Sequence, residues 1–218
     1  MKNQQLDRPG IAKETLNNAQ IKHQSKSENE EAVGCKASGL FIPYFDLLNN
    51  KVIENDRQYG RLRLDKPVGK KKYHQPKGSV CHAYVPPFFK SKPTEPLILV
   101  EGEFKALSLI ESGFNAIGIP GFYTVINGAP LPEIIGYIEA YEPEYIYYLG
   151  DNDTALNWQF SDAVCKFREV VEVPLLLPRI PLNSDGKGIG DVKESMGPAF
   201  KKWFIGILDS AMEVCHEY

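Results

Sequence analysis

The sequence lacks several features that mark common protein classes. No apolar run approaches membrane-spanning length and the first residues are polar rather than signal-like, so we expect a soluble, cytoplasmic protein. Its four cysteines form no C-x-x-C pair, which argues against a zinc ribbon or a disulfide framework. A zinc site from Cys35, His74, Cys81 and His82 would need spacings unlike those of common structural sites. A glycine-rich P-loop is also missing, so no built-in helicase or ATPase is indicated.

Charge is distributed unevenly along the chain, although the net charge of −3 is small. From Lys51 to Lys92 there are 11 Lys and Arg against 3 Asp and Glu, a net +8, whereas from Pro93 to Tyr218 there are 8 against 19, a net −11. A basic segment beside an acidic one suits a protein that holds a polyanion and presents a metal ion to it. The alternative is that the two surfaces simply neutralise each other.

Composition divides the chain into three parts. They are a polar, partly disordered N-terminal extension over 1–38, a small α+β or β-rich region over 39–92, and an α/β domain over 97–218. In the first part we expect a short helix from Ile11 to Ile21 and a mobile connector from Ser25 to Glu31. The proline-bearing stretch from Lys90 to Pro96 is the natural boundary between the second part and the third.

The third part alternates strand-length apolar runs with helix-compatible spans. This order indicates a parallel, doubly wound sheet with flanking helices. The predicted strands are Leu97 to Val100, Ala116 to Ile119, Tyr145 to Leu149 and Val173 to Leu177, and the predicted helices are Glu103 to Ser112, Pro130 to Tyr141, Thr154 to Val171 and Ala199 to Val214.

Acidic residues follow two of these strands directly. Glu101 ends the first strand, and Asp151 and Asp153 follow the third. Ligands bind such sheets beyond the carboxyl ends of the strands, where three carboxylates repel one another unless a cation lies between them. We therefore expect a hard-metal site, with Mg²⁺ or Mn²⁺ as the cofactor. The alternative for Asp151 and Asp153 is helix capping, since Asp is common where helices begin.

Glu101-Gly102 after one strand and Asp151-x-Asp153 after a later one resemble the Toprim domain shared by bacterial primases, topoisomerases and OLD-family nucleases. Lys105-Ala106 and the stretch from Lys187 to Asp191 are similar to a Toprim-like domain of unknown function in phage and plasmid replication primases. The resemblance covers roughly Leu40 to Gly197. It implies a Rossmann-like Toprim fold and a role in the DNA replication of a phage, plasmid or other mobile element.

The resemblance also implies roles for particular residues. Glu101, Asp151 and Asp153 would be catalytic and would bind the metal together with Asp191, and Glu101 could act as general acid or base. Two positions depart from the pattern: Lys105 stands where bacterial primases usually carry another acid, and Gly190 replaces the first aspartate of a late pair. Lys105 could reach a phosphate or nucleotide, or it could pair with one of the acids.

The second part presents a candidate nucleic-acid surface. Its first strand, Gly39 to Asp46, is interrupted by Pro43 and is expected at a sheet edge or leading into a turn. Strict alternation then places Arg61 and Arg63 on one strand face and Leu62 and Leu64 on the other. Arginine and lysine can contact a phosphate backbone, and a tyrosine can stack on a base. The candidate binding residues are Arg61, Arg63, Lys70, Lys71, Lys72 and Tyr73, with Lys105 from the third part. The alternative is a solvated hairpin with ordinary surface charges.

Three functions stay open from the sequence. The first is a Mg²⁺-dependent, primase-related nucleotidyltransferase that acts on DNA or RNA and nucleotides, with a replicative helicase or polymerase as partner. The second is a non-catalytic module that binds nucleic acid or nucleotide within a replication complex, which Lys105 and Gly190 favour. The third is a Toprim nuclease, which the intact Glu101, Asp151 and Asp153 favour as much as they favour the first.

Overall fold

The computed structural model describes residues 8, 10–69, 71–121, 130–152, 158–182, 184 and 188–214. The chain divides into two compact units. The first contains the described residues of Met1–Arg8, Ala12–Val80 and Val85–Phe89, and the second contains those of Pro9–Ile11, Cys81–Tyr84 and Lys90–Tyr218.

The first unit is built on a four-stranded antiparallel sheet with the strand order β1-β2-β5-β6. A two-stranded hairpin, β3 and β4, lies outside this sheet. The elements are α1 (Lys13–Asn18), β1 (Lys22–Gln24), α2 (Lys26–Val33), β2 (Gly39–Pro43), β3 (Ile53–Glu54), β4 (Arg57–Gln58), β5 (Gly60–Val68) and β6 (Lys71–His74).

Alternation along β5 decides which face of this sheet is covered. Leu62 and Leu64 are buried in a cluster with Val33 of α2 and Phe41 of β2. Arg61 and Arg63 point to the opposite face, because successive side chains of a strand alternate. The predicted separation of leucines from arginines is therefore confirmed.

The mobile connector expected in the first unit is wrong, and so is the sheet edge, one of the two alternatives for the strand that contains Pro43. Ser25 to Glu31 are not a mobile connector: Ser25 caps α2, and Glu28 completes a capping box with it. The strand that ends at Pro43 is not at an edge, because β2 lies between β1 and β5. Pro43 is the last residue of β2, so its missing N–H costs the sheet little. The polar residues of β1 join the sheet by pairing with Gly39–Phe41.

The second unit is an α/β layer structure. Its five-stranded sheet has the order β11-β10-β9-β7-β8, in which β10, β9, β7 and β8 are parallel and β11 is antiparallel. The elements are β7 (Leu97–Glu101), α3 (Glu103–Glu111), β8 (Ala116–Ile119), α4 (Pro132–Tyr141), β9 (Ile146–Leu149), α5 (Trp158–Val170), β10 (Leu175–Leu177), α6 (Ile189–Met196), a 3₁₀ turn (Gly197–Ala199), α7 (Phe200–Asp209) and β11 (Met212–Glu213).

The core of the second unit lies on the strands β7, β8 and β9. All four residues of β8 and of β9 are buried, as are the first four of β7. Such continuous burial is characteristic of parallel sheets with both faces covered. Helix α3 packs against β7, β8 and α6. The predicted α/β fold class, a parallel sheet with flanking helices, is confirmed.

The C-terminal part of the second unit differs from the sequence-based expectation. The last helix ends at Asp209 instead of reaching Val214, and the chain then pairs with β10 as β11. Phe200 and Phe204 are the buried residues of α7, with stacked rings 5.5 Å apart between centroids. Within the described residues, no helix is long and apolar enough to cross a membrane.

Candidate functional site

The acidic rim is the edge of the second unit where β7 and β9 end, and it carries Glu101 and Asp151. The two strands are direct neighbours, with Val100 opposite Leu149 in the register. Glu101 follows Val100, and Asp151 comes two residues after Leu149. The structure thus brings these two predicted residues to the same end of adjacent parallel strands, where sheets of this class bind ligands.

Gly102 makes the sharp turn that separates Glu101 from α3. Its φ of 96° lies where residues with a side chain are strained, and its N–H donates to the Ile119 carbonyl of β8 at 2.9 Å. Gly121, just after β8, also borders this edge, since a Cβ atom there would lie 3.9 Å from Oε1 of Glu101. Gly121 therefore borders the carboxylate without a side chain of its own.

The two glutamates of the E-G-E stretch face different buried tyrosines. Burial, and secondarily the charge of Glu101, raises the pKa of Tyr148 in β9. Burial, and secondarily the charge of Glu103, raises the pKa of Tyr84, which bridges to Gly118 of β8. Glu103 itself is almost completely buried in the first turn of α3. Burial thus keeps each tyrosine neutral beside a carboxylate, which indicates a region of low polarity behind the acidic rim.

Lys105 forms an ion pair with Asp151 across the rim. Its Nζ lies 2.5 Å from Oδ1 of Asp151, and the two side chains are 26% and 28% exposed. Lys105 comes from the first turn of α3, so the helix that follows β7 is tied to the loop that follows β9. The pairing with an acid that the sequence left open for Lys105 is thus present, while its other role, reaching a phosphate or nucleotide, stays a prediction.

The start of α6 also reaches the rim. A Cβ atom on Gly188 would lie 3.0 Å from Oδ1 of Asp151 and 3.0 Å from Cε of Lys105. Asp191 belongs to the first turn of α6, and its Oδ2 accepts a hydrogen bond of 3.3 Å from the Gly188 N–H. Asp191 therefore caps its own helix next to the ion pair, while its predicted role as a metal ligand stays a prediction.

The residues of the acidic rim fit a hard divalent cation in their donor chemistry. Glu101 and Asp151 supply carboxylate oxygens, the ligands that Mg²⁺ prefers. Asp153, the third predicted ligand, lies outside the described residues. Within the described ranges, no group of three His, Cys, Asp or Glu side chains is close enough to hold a metal ion. The metal site, and the catalytic role of its residues, stay predictions.

The basic strand face consists of Arg61, Arg63 and Tyr73 on β5 and β6 of the first unit. The guanidinium carbons of Arg61 and Arg63 lie 4.8 Å and 5.4 Å from the centre of the Tyr73 ring. Nη1 of Arg63 also donates to the Tyr73 hydroxyl at 2.8 Å. Tyr73, which we expected to be available for base stacking, is therefore engaged by two cations of its own unit.

The predicted lysine tract flanks this face only in part. Lys71 and Lys72 are exposed on β6, and Lys70 lies outside the described residues. Lys71 is on the same strand face as Tyr73, because the two are two residues apart. The face thus combines one exposed lysine with two arginines that are half-buried.

The pairing of His82 with Glu133 and the exposure of Trp158 were missed in the sequence. Nδ1 of His82 lies 2.6 Å from Oε1 of Glu133, whose other oxygen accepts from the Ala83 N–H at 3.0 Å. No spacing pattern links residues 51 positions apart.

Trp158 is 73% exposed at the start of α5. Its position outside the i, i+3, i+4, i+7 pattern of Phe160, Ala163, Val164 and Phe167 could have revealed this. The zinc alternative gains no support, since His82 pairs with Glu133 and the His74 ring contacts the Val33 carbonyl.

Comparisons with known proteins give structural matches only. No family model matches the chain, and no curated protein matches it. The DnaG primase catalytic domain bound to single-stranded DNA is similar at a TM-score of 0.60 and 16% identity, over 94% of this chain and 69% of the other. A second similar chain belongs to a bacteriophage T7 complex of lagging-strand DNA polymerase with primase domains of two gp4 subunits bound to an RNA/DNA hybrid and dTTP. Its TM-score is 0.61 and its identity 15%, over 94% of this chain and 90% of the other.

A third similar structure is the E. coli primase catalytic core, with a TM-score of 0.55 and 16% identity, over 94% of this chain and 71% of the other. Identities this low support a common fold and nothing finer. The chain therefore has the α/β fold expected from its sequence, and this fold is similar to that of DnaG-type primase catalytic domains.

Proposed function

We propose that this chain is a primase-related protein that acts on nucleic acid in DNA replication and uses Mg²⁺ or Mn²⁺. The observation that carries the proposal is that Glu101 and Asp151 lie at the same end of adjacent parallel strands, in a fold similar to that of primase catalytic domains. The motifs noted in the sequence further favour the phage and plasmid branch, and with it replication of a mobile element.

The ligands and partners of the similar structures support the same proposal. One of them is bound to single-stranded DNA, and another is part of a complex with an RNA/DNA hybrid, dTTP and a lagging-strand DNA polymerase. We extend these ligand classes to this chain: DNA or RNA, nucleotides, and a replicative polymerase or helicase as partner.

The chemistry expected at the acidic rim is phosphoryl transfer. A divalent cation held there would neutralise the charge that develops on the phosphoryl oxygens. Glu101 and Asp151 would hold it, together with Asp153 if that residue lies as the motif implies. Glu101 is also suited to accept or donate a proton, because Gly121 borders its carboxylate without a side chain.

The basic strand face would hold the nucleic-acid backbone in this proposal. Arg61 and Arg63 are kept in place by the Tyr73 ring, which reduces the conformational entropy lost when they bind phosphate. Arginine forks also match phosphate geometry. Lys71 would add exposed charge on the same face, and Lys72 would add it next to the face on β6.

A non-catalytic binding module is the second candidate, and the ion pair between Lys105 and Asp151 favours it. An Asp151 carboxylate that is already paired with an ammonium group has less need of a metal ion to offset its charge. The protein would then hold DNA, RNA or nucleotide for a partner enzyme without itself changing the strand.

One gel separates these functions. Labelled single-stranded and duplex DNA and RNA are incubated with nucleotides and Mg²⁺ or Mn²⁺, and the wild type is compared with Glu101→Gln. Glu139→Gln, which changes an exposed glutamate of α4, is the matched control. We expect longer products with the wild type and the control, and none with Glu101→Gln.

Each other outcome has a defined meaning. Shorter products that depend on Glu101 would replace the primase proposal with a nuclease. Unchanged strands that are nevertheless retarded on a native gel would replace it with the binding module. Products that persist in Glu101→Gln would mean that the acidic rim is not the active site.

A further inference from the structure

The Asp151 carboxylate already has a cation bound to it within the protein. Nζ of Lys105 contacts Oδ1 at 2.5 Å, a distance at which the ammonium hydrogen bond occupies that oxygen. The backbone of Lys105 is fixed in the first turn of α3, so the ammonium group stays within reach of the acidic rim.

Gly188 shows how closely the chain encloses this pair. A methyl group at this position would come within 3.0 Å of both Oδ1 of Asp151 and Cε of Lys105, which is tighter than ordinary van der Waals contact. The absence of a side chain at Gly188 thus lets the start of α6 lie against the pair. The same oxygen therefore has limited space for another ligand beside the ammonium group.

A divalent cation at this carboxylate would meet the ammonium group as a rival. Two cations on one carboxylate repel each other at short range, and this repulsion is stronger where the side chains are partly buried. We propose that Lys105 competes with the divalent cation for Asp151, so that cation binding displaces the ammonium group. The inference rests on the proposed metal site and adds a control on its occupancy: without a divalent cation, Asp151 stays paired with Lys105.

Calorimetric measurement of Mn²⁺ binding to the full chain at fixed ionic strength tests this. Lys105→Met removes the rival charge but keeps the apolar stem of the side chain. Because a partly exposed ion pair contributes up to about 1 kcal/mol, we expect about fivefold tighter Mn²⁺ binding. Lys105→Gln, which can still donate to Asp151 but carries no charge, should change the affinity in the same direction.

Lys193→Met is the matched control. Lys193 of α6 pairs with Glu111 of α3, and these side chains are 16% and 22% exposed, so the pair resembles that of Lys105 in burial and in linking helix α3 to another segment. It involves neither Glu101 nor Asp151. The Mn²⁺ affinity of Lys193→Met should equal that of the wild type.

The Asp151→Asn background identifies the shared ligand. If Lys105 acts through Asp151, adding Lys105→Met to Asp151→Asn should give no gain in affinity. Equal or weaker Mn²⁺ binding in both Lys105 variants would overturn the competition, as would a gain that persists in the double variant. No Mn²⁺ binding by the wild type or by either Lys105 variant would overturn the proposed metal site as well, which distinguishes the two failures.

Discussion

At the scale of single residues, Tyr73 determines how the first unit presents its positive charge. Its ring lies against both Arg61 and Arg63, and its hydroxyl accepts from Arg63. Because Tyr73 is a neutral partner, these contacts position the two guanidinium groups without cancelling their charge. A tyrosine that fixes two arginines in this way prepares them to bind an anion such as phosphate.

Arg63→Gln should weaken the binding of single-stranded DNA and reduce its salt dependence. Removing one phosphate contact lowers the slope of log affinity against log salt by about 0.7 for single strands. Fluorescence anisotropy over a salt series measures both quantities. Lys36→Gln, an exposed residue of the same unit that pairs with Glu30, is the control and should leave the slope unchanged. An unaltered slope in Arg63→Gln would mean that the basic strand face is only a solvated surface.

The residues of the acidic rim were predictable because the motif lies at strand ends. Glu101 and Asp151 each follow an apolar run, and parallel strands put such positions at one edge of the sheet. The sequence could not predict that Lys105 pairs with Asp151, because no local pattern links residues 46 positions apart. The arginine contacts with Tyr73 depend on the β5–β6 register, in which Arg63 lies opposite Tyr73, and no local pattern fixes this.

At the scale of elements, β2 and β5 leave no space for a side chain at two glycines. A Cβ atom on Gly39 would lie 2.2 Å from the Arg63 carbonyl oxygen, and one on Gly60 would lie 2.5 Å from the Phe41 ring. The first contact is with backbone, which cannot rotate away as a side chain can. Strand pairing at the centre of the first sheet therefore requires glycine at position 39.

Gly39→Ala should destabilise the first unit by about 1–3 kcal/mol, the usual cost of overpacking a well-packed site. Chemical denaturation followed by circular dichroism measures the change. Gly206→Ala is the contrasting variant: its Cβ atom would meet nothing within 4 Å inside α7, so helix propensity predicts stabilisation of roughly 0.5–1 kcal/mol. A neutral effect of Gly39→Ala would contradict the close pairing of β2 with β5.

The elements that sequence reasoning found are those with strong local patterns. The apolar runs of β7, β8 and β9 and the amphipathic span of α3 have the predicted type and nearly the predicted bounds. Helix α2 was missed although Ser25-x-x-Glu28 is a capping-box pattern that the sequence displays. The short strands β1 and β11 could not be found locally, because pairing with β2 and β10 is what makes them strands.

At the scale of the whole molecule, the second unit buries several phenol groups. Burial is the main cause that raises the pKa of Tyr84, Tyr147 and Tyr148, and it raises the pKa of Tyr137 to about 12. The hydroxyl of Tyr137 lies 2.5 Å from Oγ of Ser91, a hydrogen bond that partly offsets the effect of burial on its pKa. Each of these tyrosines is neutral in the folded chain at a pH where it would ionise in the unfolded chain.

The free energy of unfolding should therefore fall in strong alkali. The tyrosine contribution is fully present below pH 10, the usual tyrosine pKa, and is lost as the pH rises through 12, because the unfolded chain releases its protons first. Urea unfolding at several pH values measures this. Tyr137→Phe should show a shallower alkaline decline than the wild type. Identical slopes for the two proteins would mean that Tyr137 ionises in the folded chain as readily as in the unfolded chain.

Anomalous diffraction from crystals soaked in Mn²⁺ would show whether a divalent cation binds at the ends of β7 and β9. We predict an anomalous peak bonded to the carboxylates of Glu101 and Asp151, with Nζ of Lys105 moved away from Oδ1 of Asp151. The opposite result is an empty acidic rim in which the ion pair between Lys105 and Asp151 stays intact at saturating Mn²⁺. That result would contradict both the metal site and the competition at Asp151.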